Sequence, residues 1–300
     1  MDIRELRPPV PDGPFPPPTH YPPISTTGVR GARSWTGLTY AFVHGFRPLT
    51  LDLHVPTGAS GPVPLVVWIH GGGWVEGDRR YVPLQWGQQT LFDTVVGAGM
   101  AVATVDYRLL AEEPFPAPVH DCFAALRYLR RYAPDLGVDP GRVGVWGESA
   151  GAQLAALLAF AGSRPYADPH LVGDLGVGSG PVDTRAAVLF YGPDRLEEFA
   201  ADDGGAPFLG AAAFQGDPDV LRAMAPAEHV HGAVPPTLLM HGASDGVVGV
   251  EHSERLHAAL LGAGVDSTLE ITPGADHCFI GTPIGPHLDR AVAHLRQHLR

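Results

Sequence analysis

"GVWGESAGAQLAALLAF" occupies residues 144–160 and joins two kinds of apolar pattern. The apolar run ending at Trp146 reads as a strand, and the Ala/Leu run from 150 to 162 reads as a helix. Only Gly147, Glu148 and Ser149 lie between them, and Gly151 follows at the second helical position. A strand that reverses into a helix over so few residues forces strained backbone geometry on the residue at the bend, and flanking glycines relieve the crowding. The bend then projects the Ser149 hydroxyl away from the sheet. It sits at the start of a helix, whose partial positive charge and free N–H groups favour negative charge. Serine is also a preferred N-cap, so this stretch alone leaves open a nucleophile or a cap.

Outward from this bend, short apolar runs alternate with longer helical stretches, the pattern of βα units around a sheet. Strands are expected near 37–44, 48–55, 64–70, 100–106, 142–147, 185–191, 236–241 and 267–272. Helices are expected at about 83–98, 116–132, 150–162, 249–263 and 286–299. In the second helix Cys122, Ala125, Leu126 and Leu129 repeat at helical spacing and predict a packed stripe; Arg127, Arg130 and Arg131 predict a solvated one. The first two strands have no helix between them, which suggests an antiparallel hairpin leading into a parallel sheet. The expected fold class is α/β, with about eight mostly parallel strands flanked by helices.

Residues 1–34 form an arm, with nine prolines between 8 and 23 that fix φ and remove donors. Residues 35–300 are read as one domain, with two lid-like excursions at 163–184 and 193–235. The stretch "GVGSG" at 176–180 lacks dinucleotide-loop spacing and reads as loop. The formal charge of −12, with 20 Lys plus Arg, offers no basic stripe, so nucleic acid is excluded as a partner, and acidic polymers are disfavoured. "MDIRELRPPVPDGPF" has no apolar core, and the run Leu154–Ala161 is far below the roughly 20 residues that span a bilayer. A soluble, cytoplasmic protein without membrane contact is expected. Two cysteines, Cys122 and Cys278, are read as free thiols, Cys122 in the core.

A second stretch bears on Ser149. "PLVVWIHGGGWVEGD" (64–78) ends an apolar strand with His70 and the glycines 71–73. Bare backbone N–H groups there can approach a ligand closely, and in acyl transfer such donors stabilise an oxyanion. Gly72, Gly73 and Ala150 N–H groups are the candidate oxyanion hole. A phosphate cradle would need a Gly-Lys-Ser/Thr ending, which is absent. Trp74, beside the glycines, is the candidate substrate-contacting residue, either lining a pocket or packing beneath it.

A hydroxyl nucleophile needs a base, and the base an orienting acid. Of 15 histidines, His277 in "ITPGADHCFIG" (271–281) follows the last expected strand, where loops build sites in open α/β sheets. Asp245, in the loop of "PTLLMHGASDGVVGVEHSERL" (236–256), is the preferred acid; Asp194 in "FYGPDRL" is its rival. Asp276 adjoins His277, but adjacent side chains in extended chain diverge. His294 and His298 have a zinc-compatible spacing but no third-ligand pattern, and no metal is expected.

The motifs "HGGGW" (70–74), "DYRL" (106–109), "PFPAPVHD" (114–121), "GESAG" (147–151), "HGASDGVV" (241–248) and "DHCF" (276–279), in this order, resemble the α/β-hydrolase fold. Within it they look like the hormone-sensitive-lipase-like carboxylesterases and their acetyl-xylan and feruloyl esterase relatives. The resemblance covers about 37–298. It implies hydrolysis of a small-molecule carboxylic ester through an acyl-enzyme on Ser149, with Asp245 and His277, and no cofactor. The chain reads "YRLLAEE" where many relatives read "YRLAPE", and has Gly249 where a proline is common. Its N-terminal arm is shorter than the helical cap of the lipase-like branch, so the two excursions are expected to shape the acyl pocket. Formamide, lactone or carbamate hydrolysis stays open, as does a non-catalytic binding module, and so does a homodimer.

Overall fold

The computed structural model describes residues 28–87, 89–163, 165, 168–200 and 209–300. The proline-rich stretch 8–23 and the middle of the second excursion lie outside them. Eight strands form one sheet: β1 Ala32–Ala41, β2 Leu49–Pro56, β3 Val63–Ile69, β4 Ala101–Val105, β5 Val138–Glu148, β6 Ala186–Phe190, β7 Thr237–Gly242 and β8 Ser267–Thr272. Their order across the sheet is β1-β2-β4-β3-β5-β6-β7-β8. The first two strands pair antiparallel, as expected from their short connection, and β2 meets β4 antiparallel; every later pair is parallel. The protein thus has the α/β-hydrolase architecture the sequence predicts.

Among the described residues eight α-helices fall between these strands and a ninth follows the last. They are α1 Thr90–Gly97, α2 Ala117–Arg131, α3 Ala133–Leu136, α4 Ala150–Ala161, α5 Pro169–Val172, α6 Glu197–Ala200, α7 Pro218–Ala223, α8 Glu251–Gly262 and α9 Gly285–His298. None is long and apolar enough to cross a membrane. A parallel sheet covered on both faces needs strands apolar on both sides. In β3, Leu65, Val67 and Ile69 join the core under α2, α4 and α8, whereas Val66 and Trp68 join the core under α1 and α9. Helix α4 is buried on every side, so it runs through the interior rather than along the surface.

Three expectations shift. Strand β1, expected at 37–44, begins at Ala32, inside the segment read as the arm, because its pairing with β2 runs back from Ala41↔Leu49 to Ala32↔Pro56. The helix expected from 83 begins at Thr90, because a short 3-10 turn at Leu84–Trp86 ends at Gly87 with φ 78°. The stripe of α2 expected to be solvated is partly buried. Arg127 is 2% exposed, and its guanidinium donates to the carbonyls of Val172, Gly173 and Leu175. Arg130 donates to the Asp183 carbonyl. Sequence shows a cation but not its acceptors, and here the acceptors belong to the first excursion. Both cysteines are free thiols, and Cys122 lies in the core.

Candidate active site

The four chain reversals that matter sit at the carboxyl ends of parallel strands, after β3, β5, β7 and β8, where open α/β sheets build their sites. At the end of β5 the bend is tight. A Cβ on Gly147 would fall 2.1 Å from the Gly151 carbonyl oxygen, and one on Gly151 would fall 2.2 Å from that of Ile69. No larger residue fits at either place. Ser149 itself takes φ 52°, ψ −123°, a conformation that costs an L-residue about 1–3 kcal/mol. The structure holds it there through the Ser149 N–H, which donates to the Phe190 carbonyl at 2.9 Å. Its side chain makes no capping bond to α4, so the cap left open by the sequence is not formed.

The Ser149 hydroxyl lies 3.0 Å from His277 Nε2, and His277 Nδ1 lies 2.8 Å from Asp245 Oδ2. The other Asp245 oxygen accepts from the backbone N–H groups of Val247 and Val248, both at 2.9 Å. Burial pushes the Asp245 carboxyl up, but hydrogen bonds from His241 and His277 outweigh it and hold the acid well below the usual carboxylate range. Asp245 is therefore a permanent anion at neutral pH. Its contact favours the tautomer with the proton on His277 Nδ1, which leaves Nε2 as the acceptor nitrogen facing the Ser149 hydroxyl.

Asp194 does not reach His277. It pairs with His252 Nδ1 at 2.7 Å and with Arg255 at 2.8 Å, fastening the segment after β6 to α8. Asp276 orients the loops rather than the imidazole, accepting from the N–H groups of His277 at 2.7 Å and Gly246 at 3.0 Å. His294 Nε2 is 3.2 Å from the Pro236 carbonyl, and no group of three or more metal-binding side chains occurs among the described residues.

Loop 70–74 lies across from the bend. The Gly71 N–H donates to Glu148 Oε1 at 2.6 Å, and the Tyr107 hydroxyl donates to the His70 carbonyl at 3.0 Å. His70 stacks on Tyr107 with ring centroids 4.3 Å apart. Ala150 is the first residue of α4, so its N–H has no acceptor within the helix. Trp74 is 2% exposed; its indole N–H donates to Gln153, whose amide donates to the Met224 carbonyl.

Residues 51–260 match the BD-FAE family. The chain belongs to that family. Among curated relatives, carboxylesterase NlhH of Mycobacterium tuberculosis (strain CDC 1551 / Oshkosh) is 37% identical over 128 residues, 43% of this chain and 38% of that protein. Esterase LipQ of Mycobacterium tuberculosis (strain ATCC 25618 / H37Rv) is 29% identical over 228 residues, 72% of this chain and 50% of its own. The chain spans half or less of the length of these two curated relatives. In structure it is similar to a truncated carbohydrate esterase from gut microbiota, with TM-score 0.76 and 24% identity over 89% of this chain and 96% of that one. It is also similar to a C6-C4 SN3 inhibited esterase B from Lactobacillus rhamnosis, with TM-score 0.72 and 25% identity over 89% and 88%.

Glu148 and His241 are the site neighbours that sequence reasoning passed over. Glu148 had a readable signal, a carboxylate at the inner end of an apolar strand beside the serine. His241 had none, since its 3.4 Å approach to Asp245 Oδ2 depends on how the loop after β7 folds back.

Proposed function

We propose that the chain is a serine carboxylic ester hydrolase acting through an acyl-enzyme. The observation that carries this reading is the continuous line from Ser149 Oγ through His277 to Asp245, at 3.0 and 2.8 Å. His277 Nε2 takes the hydroxyl proton as Oγ attacks the ester carbonyl. The N–H groups of Gly72, Gly73 and Ala150 receive the oxygen that becomes negative, and His277 hands the proton to the departing alcohol. Water then attacks the acyl carbonyl as His277 takes its proton, the bond to Ser149 Oγ breaks to release the acid, and His277 returns the proton to the hydroxyl. Esterase relatives, including esterase B captured with a phosphonate inhibitor, support the same chemistry.

The substrate is a small ester with a short acyl group. Gln153 lies four residues beyond Ser149 on α4, hence on the same side of the helix, and its bonds to Trp74 and Met224 close the space there. Phe115 and Phe199 pack edge-on against Trp74, filling it further. A panel of p-nitrophenyl esters from acetyl to decanoyl should give the highest kcat/KM at the short end, together with covalent labelling of Ser149 by an organophosphonate. Absence of labelling and turnover would overturn the hydrolase; a decanoyl optimum would overturn the short acyl group.

A further inference from the structure

Glu148 stands immediately before Ser149, is 1% exposed, and takes no step in the reaction above. Its Oε1 accepts the Gly71 N–H at 2.6 Å. The approach is so close that a Cβ on Gly71 would fall 2.2 Å from the same oxygen. Gly71 is held on its other side as well, because its carbonyl lies 2.8 Å from His70 Nδ1 and 3.3 Å from the Tyr107 hydroxyl. Gly72 and Gly73, the proposed oxyanion donors, follow in the chain with only two soft dihedrals per residue between them and this anchor.

We propose that Glu148 is a positioning residue, whose carboxyl ties the glycine loop to the strand end bearing Ser149. This inference rests on the hydrolase reading only for its effect on rate; the tether stands on the geometry alone.

Facing the carboxyl are the Gly71 N–H from the loop after β3, Tyr107 after β4, Tyr191 at the end of β6, and His277 and Cys278 after β8. No arginine or lysine is among them. Burial pushes the Glu148 carboxyl up to about 7, against the downward pull of His277, the Gly71 N–H and Tyr191. Its charge therefore changes around neutrality. A glutamine there keeps the acceptor for Gly71 and removes the charge, whereas an alanine removes both.

The test compares wild type, Glu148→Gln and Glu148→Ala from pH 5 to 9 by two readouts. The first is kcat and KM for p-nitrophenyl acetate; the second is the amide-proton NMR shift of Gly71, which lies downfield when bonded to a carboxylate and needs no activity. In Glu148→Ala the Gly71 proton should move upfield and kcat should fall about 10²-fold, the scale of one misplaced oxyanion donor, with KM nearly unchanged. In Glu148→Gln the proton should stay downfield, while the step near pH 7 disappears from its shift; the limb of the kcat profile that belongs to the His277 base stays. If the alanine variant does not fold, the loss of that step in the glutamine variant decides. A wild-type Gly71 shift indifferent to pH near 7, or a rate loss in Glu148→Ala confined to KM, would overturn the proposal. Should wild type prove inert on esters while the Gly71 pattern holds, the hydrolase reading fails and the tether survives.

Discussion

Replacing Ser149 by alanine removes the atom that would form the acyl bond, and loss of such a nucleophile costs on the order of 10⁶ in turnover. Stopped assays with purified variant should show that drop with the fold unchanged by circular dichroism. Asp245→Asn is a finer probe, because it nearly preserves shape while presenting an amide to His277 Nδ1. The imidazole then adopts the wrong tautomer, and kcat should fall about 10⁴-fold. Glu148 makes a prediction about stability with the opposite cause. Its folded carboxyl titrates at about 7, against about 4.3 in an unfolded chain. The folded protein therefore keeps the proton that the unfolded chain gives up, and stability is lost as pH rises from about 4.3 to about 7. Glu148→Gln should melt higher than wild type at pH 8 and converge with it near pH 4; a lower melting point at pH 8 would contradict the unpaired burial argued here. Ser149 and its glycines were legible in sequence because strain and crowding at a bend are local matters. The Glu148 contact was not, since it joins residues 77 positions apart.

At the scale of elements, α2 carries both a core stripe and a clamp. Arg127 reaches three carbonyls of the first excursion and Arg130 a fourth, so the described part of 168–184 is fastened to α2. The second excursion instead reaches the site, through Phe199 against Trp74 and Gln153 against the Met224 carbonyl. Arg127→Ala leaves part-buried carbonyls without donors, at up to about 1 kcal/mol each. It should increase protease cleavage within 168–184 while leaving kcat/KM on short esters within about twofold, and unchanged proteolysis would mean that the clamp holds nothing. Helical periodicity located α2 well because its buried stripe of Cys122, Ala125, Leu126 and Leu129 is continuous. The same periodicity assigned Arg127 to solvent, since it records which side of a helix is apolar and knows nothing of a loop that folds over the other side.

For the molecule as a whole, the stability curve in acid follows from groups held in the form that folding prefers. Burial keeps His294 neutral and lowers its titration to about 4, whereas an unfolded histidine titrates at about 6.5. Its contribution is therefore complete above about 6.5 and is lost as pH falls toward 4. Asp245 and Asp194 are both held below the carboxylate range, so their contributions persist to lower pH and vanish last. His294→Gln should flatten the fall in melting temperature between pH 6.5 and 4; an unaltered slope would show that other groups govern it. All eight strands and the five long helices could be read from the chain, because alternation, period and turn residues are written in neighbouring positions. The same local chemistry marked Ser149, the glycines at 71–73, and the strand-end loops holding Asp194, Asp245 and His277. Which acid stands beside the imidazole was decided only by tertiary structure. With β5, β6, β7 and β8 laid side by side, the loop after β7 meets the loop after β8, while Asp194 turns away to His252 and Arg255, and such adjacency is a property of sheet order that no single stretch of sequence contains.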